Sequence, residues 1–259
     1  MSKIKFWDKS LGFWDISPIP TPEMQNLELY DYNTPGAPRR YWRRDDLPSI
    51  FDYLIGFKEN LIQDFLQGHS SLEEAIKVTK DLAPIIASYR NELMDIDISG
   101  LAYNTAGPNL NGWRGVGSYV HKRLGHEYLF DFANYPTAKA IVEEFKGNVG
   151  IVTYSIIDPN TVVGRHTDND NRDGEYIRIH IPLIIPEGDV FFECFGEIIK
   201  WDDIWGFNNQ LVHSAHNYTD KHRLVFVIDL RKTAIGLEPG EQFDEKWQIH
   251  AKPLKRDKQ

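Results

Sequence analysis

Val149-Gly150-Ile151-Val152-Thr153-Tyr154-Ser155-Ile156-Ile157 is an apolar run of strand length that stops at the turn signal Asp158-Pro159-Asn160. Downstream, Tyr176-Ile177-Arg178-Ile179-His180-Ile181-Pro182-Leu183-Ile184-Ile185 alternates around Arg178 and His180 and stops at Pro186-Glu187-Gly188-Asp189. β-Branched and aromatic residues suit a pleated surface, and Gly, Pro, Asn and Asp break it, so both stretches predict strands. Working outward, Gly115 to Lys122 alternates before them. Shorter strands are expected after them at Asp189 to Phe195, Glu197 to Lys200, Ile204 to Phe207, Leu211 to His216 and Arg223 to Leu230. Many short strands at close spacing, with helical patterns gathered ahead of them, predict a mainly β fold with flanking helices. The expected architecture is a double-stranded β-helix of the jelly-roll or cupin-like kind rather than a βαβ fold.

The segment before the strands divides in two. Residues 1 to about 42, rich in Pro and aromatics, read as an extended arm with turns. From Asp45-Asp46-Leu47-Pro48 the pattern turns helical, with Ile50, Leu54, Phe57, Leu61 and Phe65 at three- and four-residue steps and Gly68 as the stop. A second helix is expected from Ser70-Ser71-Leu72-Glu73-Glu74 through Ala75, Val78, Leu82, Ile85 and Ile86, and a third from Thr137 to Phe145 behind Pro136. The organisation predicted is an N-terminal arm and helical preface over 1–98, a β core over 99–236 and a C-terminal tail over 237–259.

Hydrophobic residues at 41% and aromatics at 13% supply a large core. The formal net charge of -9 leaves no electrostatic footprint for nucleic acid or an anionic membrane, and no such partner is expected. A single cysteine, Cys194, sits in an aromatic stretch and reads as a small buried hydrophobe. With one cysteine, no apolar leader and no long uncharged apolar run, the expected location is cytoplasmic.

The chemistry concentrates at His166-Thr167-Asp168, answered by His213 and then by Arg223. Two imidazoles and one carboxylate can occupy one face of a six-coordinate metal, the ligand set of non-haem Fe(II) oxygenases. The His-x-Asp spacing puts both side chains on one side of an extended segment. Alone, that pair reads more readily as a polar strand edge than as metal ligands. Arg223 stands in an otherwise apolar strand where an unpaired charge is expensive; a salt bridge with Asp220 or Asp229 is the alternative to a ligand-binding role.

Taken together, Tyr154 to Asn160, Gly164-Arg165-His166-Thr167-Asp168, Arg178-Ile179-His180-Ile181-Pro182-Leu183, His213 and His222 to Asp229 resemble the aspartyl/asparaginyl β-hydroxylase family of Fe(II)/2-oxoglutarate oxygenases, with its relatives that hydroxylate free proline. The resemblance runs from about Gly112 to Lys232. It implies that His166, Asp168 and His213 hold Fe(II), that Arg223 and Ser155 bind the distal carboxylate of 2-oxoglutarate, and that Arg178 and His180 face its metal-bound end. Some family members lack the carboxylate ligand, so Asp168 places this chain with the proline hydroxylases and against halogenation. Asp170 and Asp173 read as loop residues, and His216, His222 and His250 as non-ligands.

The activity so implied is hydroxylation of a C–H bond of an amino acid, peptide or protein side chain, with O2 consumed, succinate and CO2 as co-products and ascorbate as the assay reductant. Two other classes stay open from the residues: a cupin-like metal or small-molecule binding protein without turnover, and a metal-dependent hydrolase or isomerase. The helical preface lacks the tetratricopeptide-type pattern of protein-modifying hydroxylases, so the substrate is open among small molecule, peptide and protein.

Overall fold

The apolar runs pair into two antiparallel sheets. The computed structural model describes residues 41–78, 113–120, 134–166, 175–194, 197–209 and 213–238. Strands β1 (Tyr41–Arg43), β2 (Trp113–Val120), β3 (Val149–Ile157), β5 (Tyr176–Ile184), β8 (Trp205–Phe207) and β10 (Arg223–Arg231) form a six-stranded sheet in the order β1-β8-β5-β10-β3-β2. Strands β4 (Thr161–His166), β6 (Val190–Cys194), β7 (Glu197–Lys200) and β9 (His213–Asn217) form a four-stranded sheet in the order β4-β9-β6-β7. From β3 onward the chain changes sheet at every connection except β6 to β7, which winds it into a double-stranded β-helix. Two of these strands, β1 and β4, were not among those expected from the pattern; β1 is three residues long and pairs with β8.

Helices α1 (Pro48–Ile55), α2 (Lys58–Leu66), α3 (Leu72–Val78) and α4 (Pro136–Glu144) complete the described elements, apart from short 3-10 turns at Arg44–Asp46 and Lys232–Ile235. The single helix expected over Pro48 to Phe65 is two, broken at Gly56-Phe57, where glycine's conformational freedom weakens the helix. Gln67 and Gly68 then terminate α2 with left-handed backbone at φ 47° and 84°. The expected capping at the start of α3 is present: the Ser71 hydroxyl accepts the Glu74 N–H at 3.2 Å, and the Glu74 carboxylate accepts from the Ser70 N–H and hydroxyl. Asp64 of α2 caps α4 by accepting the Thr137 N–H at 2.6 Å, which ties the two helices together. Residues 1–40, the positions Leu82, Ile85 and Ile86 expected to be helical, Asp168, Asp170, Asp173 and the residues from 239 onward, His250 included, lie outside the described residues.

These helices cover the outer face of the large sheet. Leu54, Leu61, Phe65, Ala138 and Ile141 pack with Val152, Tyr154, Ile156, Ile179, Ile181, Leu224, Phe226 and Ile228 in one core. Tyr154 is its centre, with ring centroids 5.4 Å from Phe65 and 5.0 Å from both Tyr135 and Phe226. Each fully buried side chain of this size contributes about 1.5–3 kcal/mol. The opposite face of the same strands looks into the barrel. There Ile157, Val225 and Val227 meet Val163, Phe192, Cys194 and Ala215 of the small sheet in a second cluster. Strands buried on both faces read as continuous apolar runs, which is why β3 carries no clean alternation. No described helix is long and apolar enough to cross a membrane.

One buried ion pair crosses the large sheet inside the barrel. Arg178 of β5 and Asp229 of β10 are register partners, and the guanidinium donates from Nε and Nη2 to the two carboxylate oxygens at 2.7 Å each. The Ile151 N–H also reaches Asp229, at 3.4 Å. Gly150 makes room for this carboxylate, since a Cβ there would lie 2.8 Å from the Asp229 Cβ. Removing one partner of a buried pair strands the other charge, so Asp229→Ala is expected to lower stability by about 3–5 kcal/mol in urea unfolding, and Arg178→Met added to it to recover most of that loss. Equal stability of wild type and Asp229→Ala would show that the pair contributes nothing to the fold.

Candidate active site

Because the outer face of β3, β5 and β10 is sealed by helices, alternate residues of these strands point into the barrel. Thr153 and Ser155 of β3, Arg178 and His180 of β5 and Arg223 of β10 all line one cavity. From the small sheet the cavity takes Val163, Phe192, His213 and Ala215, and from the edge strand β2 it takes Trp113. Arg178 and His180 therefore occupy the inner face, and both are buried.

The cavity holds two arginines in different electrostatic states. Arg178 is neutralised by Asp229 as described. Arg223 is 2% exposed and has no carboxylate partner among the described residues. Its Nη2 donates to Ser155 Oγ at 3.1 Å, its Cζ lies 4.7 Å over the Trp201 ring, and its Nε is buried without a hydrogen-bond partner among the described residues. Burial with no counter-charge pulls the guanidinium down to about 9. The expected alternative for Arg223, a salt bridge with Asp220 or Asp229, is not formed: Arg223 pairs with neither among the described residues, and Arg178 holds the Asp229 carboxylate. A cation so placed favours an anionic ligand.

The two histidines of the sequence pattern meet across the small sheet. His166 ends β4 and His213 begins β9, and they are register partners. Directly opposed residues of an antiparallel pair have Cα atoms about 4.5–5.5 Å apart. A register shift between Val163 and His166 produces this pairing: Val163 faces Ala215, and an unbroken ladder would have set Arg165 against His213. His213 is buried, stacked on Phe192 with centroids 5.6 Å apart and edge-on to Phe207 at 4.9 Å. Asp168, two residues beyond His166, lies outside the described residues, and among those described no group of three His, Cys, Asp or Glu residues forms a metal site.

His180 is held by rings on several sides, stacked on Trp201 at 5.3 Å and edge-on to Trp205 at 4.5 Å and Phe207 at 5.2 Å. The histidines read as non-ligands are engaged elsewhere. His216 stacks on Phe191 and bonds Ser214 and Tyr218, while His222 contacts Glu73 of α3 and Asp158. Two site residues, Trp113 and Trp201, escaped the sequence reading, and a third, Asp229, was read only as a possible partner of Arg223. Asp229 shares a strand face with Arg223 at an even offset, a signal that pointed to the wrong arginine. Trp113, whose Nε1 donates to Ser155 Oγ at 2.7 Å, and Trp201, which supports Arg223, carried no sequence signal of their own.

No curated protein matches this chain. Among solved structures it is similar to a viral collagen prolyl hydroxylase from Paramecium Bursaria Chlorella virus-1 in complex with 2-oxoglutarate, at 14% identity and TM-score 0.31 over 57% of this chain and 89% of that one. It is similar also to a Pseudomonas putida prolyl-4-hydroxylase, at 17% identity and TM-score 0.27 over 39% and 61%. A third is a cupin 2 conserved barrel domain protein from Salinispora arenicola, at 14% identity and TM-score 0.24 over 33% and 66%. Residues 90–233 match the family described as aspartyl/asparaginyl beta-hydroxylase. That match spans more than half of the chain, which therefore belongs to the aspartyl/asparaginyl β-hydroxylase family.

Proposed function

We propose that this protein is an Fe(II)- and 2-oxoglutarate-dependent dioxygenase that hydroxylates a C–H bond of an amino acid, peptide or protein side chain. The observation that carries the reading is Arg223, a buried cation on the cavity wall with no acidic partner among the described residues, whose guanidinium donates to the Ser155 hydroxyl beside it. A guanidinium in that state suits the free carboxylate of a dicarboxylic acid, which it can grip with two charge-assisted hydrogen bonds.

The donor set also fits ferrous iron. His213 is buried on the cavity wall and His166 stands opposite it in register, with Asp168 as the third donor by the sequence pattern. When bound there, iron supplies the activation of O2 that couples decarboxylation of a 2-oxo acid to C–H oxidation. The chain's own part is to exclude water and fix geometry. Phe192, Phe207 and the packed indoles hold His213 and His180 in place, and Arg178 is kept from competing for the cosubstrate's charge by Asp229.

With Fe(II), ascorbate and air, the protein is expected to convert 2-oxoglutarate to succinate, with release stimulated by the right amino acid or peptide. His166→Ala and His213→Ala should each abolish this while leaving the far-ultraviolet circular dichroism intact, because sheet pairing rather than metal holds the strands. Turnover near the wild-type level in either variant, at saturating iron, would sink the metal assignment. A binding protein or a hydrolytic metal site would leave 2-oxoglutarate unconsumed.

Arg223→Ala is expected to raise the 2-oxoglutarate requirement steeply, by about 2–5 kcal/mol of lost binding, since it removes one partner of a buried charge pair. Unchanged 2-oxoglutarate affinity in this variant, measured by titration calorimetry, would remove the observation on which the reading stands.

A further inference from the structure

Ser155 Oγ receives two hydrogen bonds from opposite sides. Trp113 Nε1 donates to it at 2.7 Å and Arg223 Nη2 at 3.1 Å. The strand register explains the convergence. Ile157 is the partner of Trp113 on β2 and of Arg223 on β10, so the two residues flank β3 at one level. Ser155 lies two residues along on the same inner face as Ile157, and side chains that lean along their strands reach it from both flanks.

A serine hydroxyl has one O–H to give and two lone pairs to fill. An indole N–H and a guanidinium N–H can only donate, so together they fill both lone pairs. The hydroxyl proton is thereby turned away from both partners, and no acceptor among the described residues takes it. Ser155 and Arg223 both line the cavity, so an acceptor on a bound ligand is the group left to receive it.

We propose that Trp113 is a positioning residue that locks Ser155 as a hydrogen-bond donor to the ligand carboxylate gripped by Arg223. The inference rests on the reading of Arg223 as the carboxylate anchor and assigns to β2, the edge strand, a part in cosubstrate selection. An acceptor in place of the indole would let the hydroxyl turn inward and present a lone pair to the carboxylate, which repels it. Trp113 thus excludes the wrong hydroxyl orientation rather than touching the ligand's charge.

The test compares two acids that share the 2-oxo acid head, 2-oxoglutarate and 2-oxobutyrate; only the first has a distal carboxylate. Each is titrated calorimetrically into the manganese(II)-loaded wild type, Trp113→Phe, Ser155→Ala, the double variant and Arg223→Ala. Trp113→Phe should weaken 2-oxoglutarate about 3- to 10-fold, the scale of one neutral hydrogen bond, and leave 2-oxobutyrate unchanged. In the Ser155→Ala background the same change should have no further effect, because its route through the hydroxyl is gone. Trp113→Leu, which has no hydrogen-bonding group at all, gives the same pattern and serves if the Phe variant does not fold. Equal weakening of both acids, or a full effect of Trp113→Phe without Ser155, would overturn the proposal and leave Trp113 as packing alone. A wild type that binds neither acid, or an Arg223→Ala that leaves 2-oxoglutarate unaffected or weakens both acids equally, would overturn the carboxylate-anchor reading itself, whatever Trp113 does.

Discussion

Helices laid over one face of a sheet leave the strands' alternate residues a single other place to go, and this constraint arranges the whole site. β10 lies between β3 and β5, paired with both along its length. Its Leu224, Phe226, Ile228 and Leu230 are spent on the helical core, so Arg223, Val225, Val227 and Asp229 must face the barrel. The register then sets Val225 beside Ser155, Val227 beside His180 and Asp229 beside Arg178. A contiguous patch of polar groups inside a hydrophobic barrel follows from an apolar pattern on the other side of the same strands.

Within that patch the fold treats two arginines differently. Arg178 has a register partner of opposite charge, and the pair is bidentate, buried and closed. Arg223 has an apolar register partner, Ile157, and among the described residues it is supported by a hydroxyl and the face of Trp201. A cation–π contact holds a guanidinium without neutralising it, so the charge stays available while the side chain is kept from collapsing onto a carboxylate. The difference between a structural arginine and a binding arginine is made by what stands opposite on the neighbouring strand.

Much of this was legible before any coordinates. The apolar runs of β3, β5 and β10, the turn residues between them and the helical spacing of Leu54, Leu61 and Phe65 were enough for the sheet-and-preface architecture, because period and punctuation are local properties. That Arg178 and His180 share one face of β5 was legible too, in their alternation with isoleucines, whereas the assignment of that face to the barrel interior came from the family resemblance alone. What was not legible depends on pairing between distant segments. Asp229 could be assigned to the wrong arginine because both share its strand or its sheet, and only the register separates them. Trp113 sits forty-two residues from Ser155, and nothing in its own neighbourhood announces the hydrogen bond. The break at Gly56 was hidden because the apolar spacing continues across it.

β4 shows the same limit at the metal-ligand positions. Its pairing starts conventionally, Thr161 with Asn217, Val162 with His216 and Val163 with Ala215, and then slips by one residue so that His166 stands against His213. Had the ladder run on unbroken, the residue opposite His213 would have been Arg165, and the sheet would have presented a cation position there instead of a second imidazole. Gly164 lies within the slip, at a point where a small residue accommodates the bend that an extra residue forces on a strand. The His-x-Asp spacing read from the sequence fixes how His166 relates to Asp168; one extra residue in β4 decides that His166, and not its neighbour, is the position that meets His213.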